Sequence, residues 1–177
     1  NPERMAEASK SARVLIDDAD TVEKGIETAL WGKVDLKEKV NGVKTLKPLA
    51  LAVKTIKNKF GPFADGLPSD QIGDIKRLIK KTRQGKASLN DLKQMRTNIG
   101  AQIANEAGAT KPDRIRMSAL AEIDDALLDV MERSGLNPEL ADAIAQSRAR
   151  NNLFRKGGVG KIRGFDTTGT PKVRHEL

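Results

Sequence analysis

The sequence predicts an all-α fold, an elongated bundle of five to six amphipathic helices with a flexible C-terminal tail. Three observations predict it. Apolar residues recur at helical spacing along most of the chain, and no segment alternates apolar and polar residues as a half-buried strand does. Aromatic residues make up only 3% (Trp31, Phe60, Phe63, Phe154 and Phe165), whereas sandwich folds and compact enzymes carry more aromatic anchors. At 177 residues the chain suits one domain with extensions, here 1–156 as the bundle and 157–177 as a Gly-rich basic tail.

The first helix, over 2–30, carries the clearest pattern. Met5, Ala8, Ala12, Leu15, Ala19, Val22, Ile26 and Ala29 advance in alternating steps of three and four. A repeat of about 3.5 residues lays one narrow apolar seam along a helix, as in coiled coils. Such a seam packs either within its own chain or against another copy, and Leu15, Val22 and Ile26 at its centre are the candidate assembly residues. Pro2 suits the first turn, and Trp31-Gly32 ends the helix.

Residues 33–44 show no period and read as irregular. A second helix over 46–59 aligns Leu49, Val53, Ile56 and Phe60, with Pro48 in its first turn. Gly and Pro punctuate 61–68, which reads as a loop. The third helix, over 69–84, turns Ile72, Ile75, Leu78, Ile79 and Thr82 inward, with Gly85 placed to end it. Ser88-Leu89-Asn90-Asp91 resembles a capping arrangement for a fourth helix over 89–107, with Leu89, Leu92, Met95, Ile99 and Ile103 on its stripe.

Thr110-Lys111-Pro112-Asp113 opens a fifth helix that runs to about Arg133. Its broad apolar set, from Met117 to Met131, marks it as the most buried. Gly135 closes it, and Asn137-Pro138 starts a sixth helix reaching about Lys156, with Leu140, Ala143, Ile144 and Phe154 on one side.

The residues that usually do chemistry are few. Cysteine is absent, which excludes disulfides and thiolate metal sites, and the single histidine, His175, lies third from the end. Acidic groups in helix one (Asp17, Asp18, Asp20) and helix five (Asp124, Asp125, Asp129, Glu132) read as solvated faces or ion-pair partners for basic helices, lying away from the apolar stripes. Gly157-Gly158-Val159-Gly160-Lys161 lacks the full phosphate-loop pattern, since Ile162 stands where Ser or Thr belongs and no strand precedes it; it reads as a linker. No catalytic residue, metal site, cofactor or small-molecule substrate is assigned, and no cavity built for reaction is expected.

Net charge is +8, in blocks of alternating sign: −3 over 1–32, +5 over 33–67, +4 over 68–109, −4 over 110–147 and +6 over 148–177. Neighbouring helices of opposite charge order a bundle. The densest basic run holds Lys76, Arg77, Lys80, Lys81 and Arg83, the candidate contacts to nucleic acid. It has no interleaved aromatics to stack on bases, so a solvated face pairing with acidic helices competes with that reading. No apolar run approaches the roughly eighteen residues that span a bilayer. The opening Asn-Pro-Glu-Arg reads as the start of a piece cut from a longer chain.

A family resemblance carries the reading further. The succession "IGDIKRLIKK", "LNDLKQMRTNIGAQIANEAG", "DRIRMSALAEIDDALLDVM" and "ELADAIAQSRARNNLFRKGGVGKI", ending in the tail "DTTGTPKV", resembles helical regions of very large bacteriophage proteins. These are the internal virion or DNA-ejection proteins of short-tailed phages and related prophage proteins. "ALWGKVDLKEKV" resembles the Trp-containing helix end that precedes such regions. The resemblance covers 60–80% of the chain, by helix type rather than by invariant signatures. It implies a structural role in the virion, during assembly in the host cytoplasm, and in the host envelope when the genome is delivered. It also implies other copies of the chain or other virion proteins as partners, with DNA, and membrane contact only through a larger assembly. Some members carry lytic transglycosylase domains, but no glutamate here stands in a recognisable catalytic setting, so that activity is not carried over.

Overall fold

The computed structural model describes residues 1–60, 69–135 and 137–165. Among the described residues seven helices follow in order: α1 (Pro2–Trp31), α2 (Lys47–Phe60), α3 (Ser69–Arg83), α4 (Leu89–Ala107), α5 (Arg114–Ser134), α6 (Pro138–Arg155) and α7 (Gly157–Arg163). A 3-10 turn, Val43–Leu46, leads into α2. The expected loop at 61–68 and the end of the expected tail, 166–177 with His175, lie outside the described residues.

The helix ends follow the local chemistry. Asn1 Oδ1 accepts from the amide of Glu3 at 3.0 Å, Asp113 Oδ1 from Arg116 at 3.0 Å, and Asn137 Oδ1 from Glu139 at 2.9 Å. Each supplies an acceptor to an amide with no partner inside its helix. Gly85 takes a positive φ of 68°, and the Lys86 amide turns back to the Lys81 carbonyl at 3.0 Å, closing α3 as the sequence expects.

The irregular stretch after α1 also does capping work. Leu36 and Glu38 offer their carbonyls to the amides of Asn90 and Leu89, both at 2.9 Å, at the start of α4. The Asp91 carboxylate accepts from the backbone amide of Ser88 at 2.9 Å, the acid half of the expected capping box. Lys39 and Ser88 form an isolated antiparallel bridge, and no strand exists among the described residues.

Helix α5 is central, as its apolar set predicts. It packs on α2, α4 and α6, burying Met117, Leu120, Ile123, Leu127, Leu128 and Met131 completely. Each large aliphatic side chain so buried contributes about 1.5–3 kcal/mol. Helix α6 packs on α1 and α7, which also touch each other.

Two expectations need correction. Residues 157–163 are a helix rather than a linker, fixed by Phe165, which is buried and donates its amide to the Gly160 carbonyl at 2.9 Å. Gly160 is what allows that turn, because a Cβ there would collide with the Arg155 carbonyl group. The acidic residues are ion-pair partners, the second of the two expected readings, but Asp20 and Asp124 make their pairs in the interior and not on a solvated face, for reasons given next.

A buried charge network beneath the α1–α4 groove

Four helices each place a charged or polar residue where their apolar stripes would continue. On α4, Arg96 falls between Leu92 and Ile99; on α5, Asp124 falls between Leu120 and Leu127. On α6, Ser147 and Asn151 extend the line of Leu140 and Ile144. On α1, Asp20 and Glu27 share the face of Ile16, Glu23 and Leu30. Packing the helices brings these positions together.

Arg96 is the hub. Its Nε donates to Asp124 Oδ1 at 2.7 Å and its Nη2 to Oδ2 at 3.1 Å, while Nη1 reaches Ser147 Oγ at 3.1 Å and Glu27 Oε1 at 3.3 Å. Asp124 accepts further from Arg155 Nη1 at 2.7 Å and Asn151 Nδ2 at 3.0 Å. Arg150 forks onto Asp20 through Nε at 2.6 Å and Nη2 at 3.2 Å, and its Nη1 donates to Glu27 Oε2 at 2.8 Å. Arg163 of α7 adds a bond to Asp20 Oδ2 at 2.9 Å. Trp31 closes the end of the network: its indole N–H donates to Ser147 Oγ at 3.0 Å, and Ser147 donates to Glu27.

Charges removed from water need such saturation, because desolvation otherwise exceeds the attraction between them. Burial alone would raise the pKa of Asp124, but the guanidiniums of Arg96 and Arg155 overcome it and hold the carboxyl far below its ordinary value. Burial likewise works against Asp20 and Glu27, and Arg150 with Arg163, or Arg96 with Ser147 and Arg150, keep them ionised. General acids at neutral pH are tuned the other way, upward. Among the described carboxyl groups of these helices with a resolved shift, only Asp125 moves up, through burial and the neighbouring Asp124 charge.

Above this network lies an open groove of about 710 Å³ between α1 and α4. Its walls carry Thr21, Lys24 and Thr28 from α1 and Lys93, Thr97 and Ala101 from α4. The sequence leads to no cavity built for reaction, and the acids that floor this cleft are committed to arginines. Its cause is legible: polar residues at stripe positions recruit arginines instead of closing α1 onto α4.

The expected assembly seam does not pack within the described residues. Leu15, Val22 and Ile26 are 70%, 64% and 46% exposed, and Met5 is half exposed. At the helical angle per residue, the seam lies about a quarter-turn from the face that meets α6. Every residue from Asn1 to Leu15 is exposed. The body holds α1 from Arg13, whose Nη2 donates to the Ala107 carbonyl at 3.0 Å, onward to Trp31.

The basic run on α3 divides in two. Arg77 pairs with Asp74, and Lys81 Nζ reaches Asp91 Oδ1 at 2.6 Å. Lys76, Lys80 and Arg83 share an outer face at steps of four and three, exposed and with no ion pair among the described residues. Pairing with distant acidic helices does not occur on this face. Among the described residues no helix is long and apolar enough to cross a membrane, and no group of acidic or histidine side chains could hold a metal ion. Comparison with known protein families, characterised proteins and solved structures finds no match to this chain.

Proposed function

We propose that this chain is a structural assembly module: a helical bundle that presents α1 as a rigid arm for docking to α1 of a second copy. One observation carries the reading. The apolar seam keeps its three-four spacing from Met5 to Ala29 while its large members stand in water. A monomer gains nothing from a regular apolar line on an exposed helix, whereas a partner helix of the same period buries it knob into hole. The alanines at four of its eight positions allow close approach of the two backbones.

Sedimentation of the wild type beside the double variant Leu15→Asp, Val22→Asp tests it. The wild type is expected to self-associate and the variant to be monomeric, with unchanged helix content because both positions are exposed. A wild type that stays monomeric at high concentration overturns the reading.

The setting we infer is a phage particle, in an internal or DNA-ejection protein that helps deliver the genome through the host envelope. The sequence resemblance from Ile72 to Val173 supports this. In that setting the protein copurifies with intact particles and is depleted from particles that have emptied. Full retention in emptied particles would remove the ejection role.

A second reading, sequence-independent nucleic-acid binding, is favoured by the outer face of Lys76, Lys80 and Arg83, which has no ion pair among the described residues. Three phosphate contacts give a log–log salt slope of about −3, at roughly −0.9 per contact. Filter binding across a salt series measures that slope, and a flat response eliminates the reading.

A further inference from the structure

We propose that the groove between α1 and α4 is a binding site for a small polyanion, one bearing phosphate or carboxylate groups, clamped between Lys24 of α1 and Lys93 of α4. The site is independent of the α1 seam, which faces away from the groove.

The charge balance of the lining comes first. Six cationic side chains and three carboxylates border the groove. The three carboxylates, Asp20, Glu27 and Asp124, are committed to arginines, with bonds of 2.6–3.3 Å that use both oxygens of each. The excess positive charge therefore has no counterpart inside the groove. Lys24 and Lys93 hold it, one from each wall, and neither has an ion pair among the described residues.

Lys93 makes the stronger case. It is half-buried, with its Nζ 5.4 Å from the centre of the Trp31 ring and only the Thr97 hydroxyl, at 3.4 Å, as a hydrogen-bond partner. Burial and the adjacent Arg96 charge both depress its pKa. An ammonium kept partly out of water beside a guanidinium is relieved by an anion, and the groove is where an anion can reach it. Arg155 and Arg163 lie on the same lining, with Arg155 using only Nη1 and Arg163 only Nε and Nη2 toward carboxylates. Their remaining N–H groups are donors suited to oxyanions.

Size and shape fit a small molecule. A volume of about 710 Å³ lies within the range of ligand clefts, roughly 300–1,000 Å³. The aromatic floor is covered, with Trp31 and Phe165 each about 4% exposed, so base stacking is unavailable and charge is the main recognition element.

Trp31 is the only tryptophan and lines the groove, so its fluorescence reports occupancy directly. Titration with pyrophosphate and, separately, with citrate is done at constant ionic strength set by chloride. A saturable change in emission is expected, with at least a tenfold weaker midpoint in Lys24→Ala and in Lys93→Met. Response to pyrophosphate alone identifies phosphate as the recognised group, and response to citrate alone identifies carboxylate; either supports the site. Binding should also raise the titration midpoint of the Lys93 amine, followed by NMR. No saturable response to either anion, or one that both variants leave unchanged, overturns the proposal. Lys24 is exposed on α1, so its variant keeps the test decisive even if Lys93→Met unfolds.

Discussion

Arg96 grips Asp124 through two parallel N–H···O bonds, at 2.7 and 3.1 Å, with side chains only 7% and 1% exposed. This pair joins α4 to α5 in the middle of the bundle, and the other members of the network hang from it. Removing one partner leaves a desolvated charge, which costs about 3–5 kcal/mol. We therefore expect Asp124→Leu alone to lower the urea unfolding free energy by about that amount. The double variant Arg96→Met, Asp124→Leu should be markedly less damaging than the sum of the two singles. Additive losses in the double-mutant cycle would mean the two side chains are not coupled.

The same network sets the acid limit of the fold. Asp20, Glu27 and Asp124 all have folded pKa values below their ordinary ones, 3.8 for Asp and 4.5 for Glu. Their stabilisation is complete above those ordinary values and is lost as pH falls below them. Asp125 is shifted the other way, so its share fades as pH rises past 3.8, and one opposes three. Calorimetry should find Tm level from about pH 8 to pH 5 and falling steeply below about pH 4. A Tm that rises on acidification would contradict the ionised network.

Much of this architecture is legible in the residues, and the part that is not has a physical reason. Helices α3 to α6 lie close to where periodicity and caps put them, and α5 is the buried one because its apolar face is broadest. Composition points to the pairing of these acids with basic helices, but not to its burial, because charged residues ordinarily lie away from the apolar stripes. The signal was present: Leu92, Arg96, Ile99 on α4 and Leu120, Asp124, Leu127 on α5 keep the three-four spacing straight through the charge. A charge in phase with an apolar stripe faces inward whatever its own solvation preference. Helix α7 escaped for another reason, since four of its first residues (Gly157, Gly158, Val159, Gly160) are poor helix formers. Burial of Phe165 in the core and the bond from Arg163 to Asp20 override that propensity.

Gly160 provides a test of how tightly α7 is seated. Gly160→Ala adds a methyl group that meets the Arg155 carbonyl, backbone that cannot swing aside. Overpacking of this kind costs about 1–3 kcal/mol. We expect α7 to shift and Arg163 to lose its bond to Asp20, so stability should fall by about that amount. The double variant Gly160→Ala, Arg163→Ala should then lose little more than Gly160→Ala alone. Full extra loss from the second substitution would show that α7 stays seated.

Gly25 asks whether α1 is part of the cooperative fold. It sits mid-helix, and a Cβ built there meets nothing within 4 Å. With no steric penalty, Gly25→Ala acts only through the backbone, where Ala is favoured over Gly by about 0.5–1 kcal/mol inside a helix. If the ion pairs of Asp20 and Glu27 bind α1 to the body so that it unfolds with the rest, the whole gain appears in the global unfolding free energy. An arm that melts first would leave the global midpoint untouched while helix content at low urea rises. We expect the first outcome, because Asp20, Glu27 and Trp31 anchor the C-terminal half of α1 around this position. Far-ultraviolet circular dichroism and Trp31 fluorescence, followed through one urea titration, separate the two.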